Sequence, residues 1–405
     1  MEITKSIVSN IWGFDLNPLA VSAARTNYLF ALGDLVNELK AGFEIPIYLA
    51  DSVLIPEVGS DKLFYEHQIE IRSSVKKFAL PALWLKDDGA VMVRAAPILE
   101  RNVKNLIEPE IALKGLYKEG LVFKYCEKEV LSFYNELYQL EKEGKNGIWA
   151  RFLKNSTAPL IAKKEKFDFV IGNPPWIMWQ YLSKEYREAT QSLWENYGLT
   201  RIGQNINVLI RGRRDFSMLF TYVSSDYYLK DGAKLGFLIT QEVFKSKGAG
   251  EGFRRFQLGE GKYLKVLKAH DLVSIQPFEG ATNKTAAIIL KKGEKTEYPI
   301  PYIVWSKKKS VEKNPKDKIL EEFIPLLSKK RFIARPIGSE TGTWQTHVER
   351  IKISAIEGQN YYKAHAGAYI SPYGIFWLNV KNVLSDGNVL VENFTGKVKT
   401  KNSED

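Results

Sequence analysis

One short segment limits the possible folds of this 405-residue chain more than any other. Residues 167–172 read FDFVIG, an apolar run rich in β-formers, and Asn173-Pro174-Pro175-Trp176 follow directly. Each proline fixes its φ angle at about −65° and lacks an N–H donor, so a regular strand does not continue through the pair. The pattern predicts a buried central strand that opens into a rigid loop. Such a loop suits an active site, and a non-catalytic turn is the alternative.

The first 50 residues have the rhythm of an α/β protein. Residues 7–16 predict a buried strand, Asn17 and Pro18 predict the start of a helix, and Ala41-Gly42 predict its end. A second strand is predicted over residues 45–50. Strand, helix and strand in this order are typical of a parallel sheet with crossover helices.

The rest of the chain predicts a helical insertion, a second α/β segment and a lysine-rich end. A helix is expected over residues 216–229, with strands over 234–240, 263–269 and 286–290. The predicted divisions are 1–61 for the first part of the sheet, 62–154 for the helical insertion, 155–300 for the rest of the sheet, and 301–405 for a further region.

Composition narrows the function classes. The formal net charge is +11, which favours polyanionic partners such as nucleic acid, although a solvated lysine-rich surface is an equal alternative. The single cysteine excludes an internal disulfide, and the four histidines are scattered, so no metal site is predicted. No segment approaches the length of about 18 apolar residues that a membrane-spanning helix needs, and a cytoplasmic location is expected.

The Asn-Pro-Pro-Trp segment suits the methylation of an amino group. A proline-locked loop presents a carbonyl oxygen outward, and Asn173 adds a side-chain oxygen. Two such acceptors can hold both hydrogens of an exocyclic NH2 group while the nitrogen lone pair turns toward an electrophile. Trp176 offers a flat face on which an extruded base can stack.

FDFVIGNPPW resembles the catalytic motif of the amino-methyltransferases that modify adenine N6 in DNA. The resemblance implies S-adenosyl-L-methionine as cofactor, with Asn173, Pro174, Pro175 and Trp176 as the catalytic residues and Asn173 also beside the cofactor. GFDLNPLAVSAARTNYL is similar to the family motif whose acidic residue, here Asp15, binds the ribose hydroxyls.

Other segments resemble the same family in the same order. IPIYLADSVL looks like the motif in which Asp51 would accept a hydrogen bond from the cofactor's adenine amino group. PFEGATNKTAAIILKKG places Phe278 where the family has a second aromatic against the flipped base. IWARFLKNSTAPLIAKKEKFDFVIGNPPW and DGAKLGFLITQEVFKSKGAGEGFRR look like restriction-modification enzymes that carry a helical insertion. HAGAYISPYGIFWLNV is similar to the entry of their target-recognition region.

The resemblance implies an α/β fold: an incomplete Rossmann-like methyltransferase sheet with a helical insertion and the start of a C-terminal target-recognition region. It also implies double-stranded DNA as partner, in a restriction-modification or phage-defence system. The family has a strand and a glycine-rich loop before the Asp15 segment, and MEITKSIVSN contains no glycine. We therefore expect an N-terminal truncation: either a gene fragment, or one piece of a split enzyme whose missing strand a neighbouring polypeptide supplies. An exposed sheet edge should mark its place.

Each assignment has a plainer alternative. Asp15 and Asp51 could be strand-end caps, and Phe278 could be a core aromatic. Residues 248–252 contain three glycines that superficially resemble a phosphate loop, although a flexible turn is the better interpretation. The arginines in 211–214 either contact DNA phosphates or lie in a solvated basic loop.

The whole-chain alternatives are an amino-methyltransferase for RNA or for a protein glutamine, and a non-catalytic DNA-binding remnant.

Overall fold

The structure of the protein is a computed structural model. The structure describes residues 2–38, 43–55, 68–72, 77–81, 84, 90–144, 149–200, 214–278, 283–308, 319–347, 378–385, 388–393 and 398–401. These residues fall into two compact units, Met1–Glu349 and Arg350–Asp405. Most of the segment that resembles a target-recognition entry, residues 365–377, lies outside the described residues.

Ten α-helices are described in the first unit. They are α1 Glu2–Asn10, α2 Pro18–Leu32, α3 Ala90–Lys104, α4 Pro109–Lys118, α5 Glu127–Lys142, α6 Trp149–Glu165, α7 Lys184–Asn196, α8 Phe216–Tyr228, α9 Ala249–Phe253 and α10 Leu320–Phe323. None of the described helices is both long enough and apolar enough to cross a membrane.

The strands of the first unit form one large sheet and two small ones. They are β1 Gly13–Asp15, β2 Ile47–Leu49, β3 Gln68–Arg72, β4 Lys77–Pro81, β5 Phe167–Gly172, β6 Leu229–Thr240, β7 Gln257–Gly259, β8 Lys262–Asp271, β9 Thr285–Lys292, β10 Ile300–Lys307, β11 Leu327–Pro336 and β12 Trp344–His347. The second unit contains a three-stranded antiparallel sheet of β13 Leu378–Val383, β14 Val389–Asn393 and β15 Val398–Lys401.

The large sheet is mixed, with the strand order β12-β11-β10-β8-β9-β6-β5, and β7 pairs with β8. β5 and β6 are parallel, as are β8 and β10, whereas β9 runs antiparallel to both β6 and β8. The expectation of a parallel sheet is therefore confirmed for β5 and β6 and for the separate pair β1 and β2. β9 is joined to β8 by a connection that carries no crossover helix among its described residues, which fits the antiparallel pairing of these two strands.

One prediction near the N-terminus is wrong. Residues 7–10 of the strand predicted over 7–16 belong to helix α1, and the strand is limited to Gly13–Asp15. Apolar residues recur there at Ile3, Ile7 and Ile11, a spacing that fits one face of a helix. Helix α2 begins after Asn17 as predicted and ends at Leu32, where Gly33 takes a positive φ angle of 50°, and a 3-10 helix follows over Gly33–Glu38. The expected stop at Ala41-Gly42 lies outside the described residues.

Helix α8 forms the centre of the main core. Eleven of its 13 residues are buried, so it is surrounded by protein on nearly every side. It packs against α6 and against β5 and β6. The predicted helix over 216–229 and strands near 234–240, 263–269 and 286–290 are confirmed, although β6 begins already at Leu229. These elements fix the frame from which the Asn-Pro-Pro-Trp loop emerges.

Candidate functional site

The Asn-Pro-Pro-Trp loop, residues Asn173–Trp176, leaves the carboxyl end of β5. The strand covers residues 167–172 as predicted, and Gly172 lies opposite Phe237 of β6. The expectation of a buried central strand is wrong, because β5 ends the large sheet among the described residues and none of its residues is fully buried. A Cβ atom on Gly172 would lie 3.2 Å from the Phe237 ring, so a larger residue would press the loop entry away from β6. Asn173 is exposed and Pro174 is buried. The loop is therefore anchored through a proline while its polar side chain faces solvent.

The indole ring of Trp176 makes two contacts, a hydrogen bond through its N–H group and a ring contact with Phe278. Its Nε1 donates a hydrogen bond to the carbonyl oxygen of Leu238 in β6, at 3.2 Å. Its ring centroid lies 5.4 Å from that of Phe278, with the ring planes at 79°. The structure thus brings the two predicted stacking residues together. They touch edge to face, so a base can lie against Trp176 on this side only after the Phe278 ring turns or moves.

Asp15 ends β1 and is exposed. Its Oδ1 accepts a hydrogen bond from the backbone N–H of Asn17 at 2.7 Å, and Asn17 caps α2 by accepting from the N–H of Leu19. The carboxylate is thus oriented by the first turn of the helix. A solvent-facing acceptor at the end of a strand suits ribose hydroxyl groups.

Asp51 lies just beyond β2, which pairs in parallel with β1 so that Asp15 is opposite Leu49. Its Oδ1 accepts from the N–H groups of Val53 at 2.7 Å and Leu54 at 3.0 Å, as a structural cap does. Burial raises the pKa of Tyr186, and the negative charge of Asp51, with which its hydroxyl forms a hydrogen bond, raises that pKa further. The tyrosine therefore stays protonated and remains a donor to Asp51.

The two carboxylates lie where they could hold the nucleoside part of a cofactor. Both follow neighbouring parallel strands, and the N–H of Ala50 donates to the carbonyl of Asp15 at 3.1 Å, which holds the two strand ends together. A carboxylate has roughly four acceptor positions, so Asp51 keeps capacity beyond its three internal donors. Asp51 can therefore cap the turn that follows β2 and still accept a hydrogen bond from a cofactor.

A cavity of about 390 Å³ lies beside Trp176. The residues that follow Trp176 contribute the apolar side chains of Ile177 and Met178 to its lining. The end of β6 and the segment after it contribute the polar side chains of Thr240, Glu242 and Ser246. The lining residues are Trp176, Ile177, Met178, Tyr181, Asp215, Met218, Thr240, Glu242, Val243, Ser246, Asn283 and Lys284. Asp15, Asp51 and Asn173 are not among them, so this cavity is distinct from the edge where the two acidic residues lie.

Arg214 differs from the sequence-based expectation. Its side chain is buried, and its guanidinium lies 4.7 Å from the centroid of the Trp179 ring. Burial lowers its pKa. The interpretation of Arg214 as part of a solvated basic loop is therefore wrong, since it packs against an aromatic ring. Arg211 and Arg213 lie outside the described residues.

Two of the three glycines at 248–252 serve packing. Gly248 lies in a turn with a positive φ angle of 67°, whereas Gly250 and Gly252 belong to helix α9, so the expected turn is confined to Gly248. A Cβ atom on Gly252 would lie 2.7 Å from the Cα of Leu199, and one on Gly250 would lie 2.2 Å from the Ser246 hydroxyl. Both glycines permit a close approach of the chain. Within the described ranges, no group of three or more His, Cys, Asp and Glu side chains could hold a metal ion.

Comparisons with known proteins show similarity to restriction-modification methyltransferases. The model of the Eco57I restriction-modification methylase family matches residues 9–274. The Type II methyltransferase M.HincII of Haemophilus influenzae is 25% identical over 232 residues, 57% of this chain and 40% of that protein. M.HindII of Haemophilus influenzae strain ATCC 51907 is 25% identical over 232 residues, 57% of this chain and 39% of that protein. The matched part thus spans about 40% of the length of these relatives.

Among solved structures, a complex of DrdV with DNA is 16% identical, with a TM-score of 0.31 over 48% of this chain and 20% of that one. The family match covers residues 9–274, which include β1, β2, β5 and the Asn-Pro-Pro-Trp loop. The chain belongs to the Eco57I restriction-modification methylase family.

Proposed function

We propose that the protein transfers a methyl group from S-adenosylmethionine to the N6 amino group of adenine in double-stranded DNA, within a restriction-modification or phage-defence system. The observation that carries this proposal is the Asn-Pro-Pro-Trp loop at the carboxyl end of β5, with Asn173 exposed and Trp176 fixed to β6. The family match supports the same chemistry.

In this proposal the loop orients the acceptor nitrogen. The Asn173 side-chain oxygen and the Pro174 carbonyl accept the two N6 hydrogens, which turns the nitrogen lone pair out of conjugation with the ring. When bound, S-adenosylmethionine would supply an electrophilic methyl group and leave as S-adenosylhomocysteine, and the methylated nitrogen would release one proton to solvent. The acceleration comes from alignment in a fixed geometry, so no side chain with a shifted pKa is needed as a base.

The flipped base would stack on Trp176. The hydrogen bond from its indole Nε1 to Leu238 fixes the ring plane before DNA arrives, which lowers the entropy cost of stacking. Phe278 borders the same space, and its edge-to-face contact with Trp176 must open to admit a base between the two rings. Asp15 and Asp51 would hold the cofactor nucleoside, and Asn173 would lie at the junction of base and cofactor.

Asn173→Ala tests this assignment. Transfer of a tritiated methyl group to duplex DNA should fall by at least about 100-fold, because an acceptor for the reacting amine is lost. Calorimetry should find cofactor affinity within about threefold of wild type, since the cofactor nucleoside is bound elsewhere. Asn27→Ala, on the exposed face of α2, is the matched control and should keep full activity.

Three outcomes bear on the alternatives. Retained activity of Asn173→Ala would contradict the role of the loop. Preferential labelling of RNA or of protein glutamine, measured side by side with duplex DNA, would replace adenine in DNA as the acceptor. Salt-sensitive DNA binding without any binding of S-adenosylmethionine would identify a non-catalytic remnant.

The edge of β5 supports a second proposal, which concerns a partner. β5 is the terminal strand of the large sheet, with β6 on its one paired side among the described residues. Phe169 and Ile171 lie on one face of it and are 70% and 85% exposed. We propose that a strand supplied by a neighbouring polypeptide pairs with β5, and that an apolar element of the same polypeptide covers this face. Large apolar side chains on an open strand edge otherwise promote aggregation.

Hydrogen exchange tests the partner proposal. The chain should be co-expressed with the polypeptide encoded immediately upstream and compared with the chain alone. We expect slower exchange of β5 amides in the co-expressed sample, because strand pairing protects backbone N–H groups. Ile171→Lys should remove this protection, and Ile111→Lys, at an exposed position on α4, should not. Unchanged exchange on co-expression would contradict the proposal.

A further inference from the structure

A buried carboxylate stands beside the exit of the Asn-Pro-Pro-Trp loop. Asp215 is 5% exposed and precedes α8. Its Oδ1 accepts from the backbone N–H of Ser217 at 2.9 Å, which caps the helix. Its Oδ2 accepts from the hydroxyl of Thr240, the last residue of β6, at 2.5 Å. One side chain therefore joins the start of a central helix to the end of a central strand.

The backbone around Asp215 is also tied to the loop. The N–H of Phe216 donates to the carbonyl of Ile177 at 2.9 Å, and the N–H of Trp179 donates to the carbonyl of Arg214 at 2.8 Å. These two bonds flank an antiparallel bridge between Met178 and Asp215. The three residues that follow Trp176 are thus paired with the three residues centred on Asp215.

Three attachments together fix the loop. The β5–β6 pairing holds its entry, the bond from Trp176 to Leu238 holds its ring, and the segment centred on Asp215 holds its exit. The first two attachments end on β6, and Thr240 connects the third to the same strand two residues beyond Leu238. Asp215, Thr240 and Trp176 also line the cavity of about 390 Å³.

We propose that Asp215, acting through Thr240, is a positioning residue that holds the exit of the Asn-Pro-Pro-Trp loop against β6 and thereby sets the placement of Trp176 and Asn173. This inference rests on the proposed function for its kinetic consequence. The structural part, the coupling of Asp215 to the backbone of residues 177–179, stands without it.

The chemistry of the pair distinguishes its variants. Asparagine at 215 can still cap α8 through its oxygen, and its NH2 group can donate to the Thr240 hydroxyl, which accepts as readily as it donates. Asp215→Asn therefore keeps the cap of α8 and the hydrogen bond to Thr240, but residue 215 becomes the donor in the bond to Thr240. Asp215→Ala removes both, whereas Thr240→Val removes only the connection to β6 and preserves side-chain shape.

Asp226→Ala is the matched control. Asp226 lies on the same helix and accepts one hydrogen bond from the Tyr197 hydroxyl, at 3.0 Å. It is near the far end of α8 from the loop. Its loss should lower the unfolding midpoint much as the loss of Asp215 does, without changing the rate of methyl transfer.

We expect Asp215→Ala and Thr240→Val to lower kcat by about 10- to 100-fold, because small displacements of positioned groups have large effects on rate. KM for S-adenosylmethionine should stay within about twofold, and Asp215→Asn should recover most of kcat. The Trp179 amide should exchange faster in Asp215→Ala and in Thr240→Val than in wild type or in Asp226→Ala.

The two readouts separate this inference from the proposed function. Faster Trp179 exchange in an enzyme that methylates no substrate would leave the positioning role intact and refute the methyltransferase assignment. Wild-type exchange at Trp179 in Thr240→Val, or equal loss of kcat in Asp215→Ala and Asp226→Ala, would overturn the positioning role. Should Asp215→Ala fail to fold, Thr240→Val and Asp215→Asn decide the question.

Discussion

Arg254 shows how much a single buried residue contributes to this fold. It is 2% exposed, and its guanidinium donates to four backbone carbonyls, those of Val243, Ser246, Thr341 and Gly342. Burial lowers its pKa to about 10. The residue therefore ties the segment after β6 to the turn before β12, and it remains charged at neutral pH.

Arg254→Leu should lower the free energy of unfolding by about 3–5 kcal/mol, because several buried carbonyls lose their donor together. Urea denaturation measures the change. Arg255→Leu is the control: Arg255 donates to one carbonyl, that of Tyr197, and its loss should cost about 1 kcal/mol. Equal losses in the two variants would contradict the structural role assigned to Arg254.

Residue-level predictions from sequence succeeded where local chemistry decides. Asn17 is a cap because its neighbours, Asp15 before it and Pro18 after it, fix the local backbone. Arg214 could not be predicted, because its environment is the ring of Trp179, 35 residues earlier in the chain. Asp215 was missed for the same reason, although Asp before an apolar helix is a recognisable cap signal.

At the scale of elements, the cap of α2 is an independent test of the geometry near Asp15. Asn17→Ala should lower the free energy of unfolding by about 1 kcal/mol, since the N–H of Leu19 loses its acceptor. Chemical denaturation checks this, with Asn27→Ala in the exposed middle of the helix as control. Because alanine is the better helix former, the control should be neutral or slightly stabilising.

Helix α9 gives a second test at this scale. Gly252→Ala should cost about 1–3 kcal/mol, because its new methyl group would collide with the backbone of Leu199. Gly259→Ala is a suitable control, since no atom lies within 4 Å of the added Cβ. A thermal unfolding series that ranks the two variants equally would contradict the close approach.

Helices and strands with clear sequence patterns were predicted well, whereas the pairing of the strands was not. The β5 segment and α8 have bounds close to the predicted ones because each combines a clear period with clear ends. α1 was missed because an apolar run as short as residues 7–12 fits a strand and a helix about equally. The antiparallel insertion of β9 depends on long-range pairing, which no local pattern encodes.

At the scale of the whole molecule, the net charge of +11 has a measurable consequence for the proposed DNA binding. If about six to ten phosphates are contacted, the association constant should fall by about 10³ to 10⁵ between 50 and 200 mM salt. Fluorescence anisotropy with labelled duplex measures this, and cofactor binding by calorimetry is the control, which should change little. A flat salt dependence would show that the basic excess is not used for DNA.

The open edge of β5 also has a consequence for how such a protein is made. Phe169 and Ile171 are the side chains that an unpaired copy would offer to any other unpaired copy. Under the proposed pairing, methylation activity would depend on the concentrations of both polypeptides. An excess of either polypeptide would remain inactive or would aggregate. Balanced synthesis of the two polypeptides, as from one transcript, would then be a requirement of solubility as much as of catalysis.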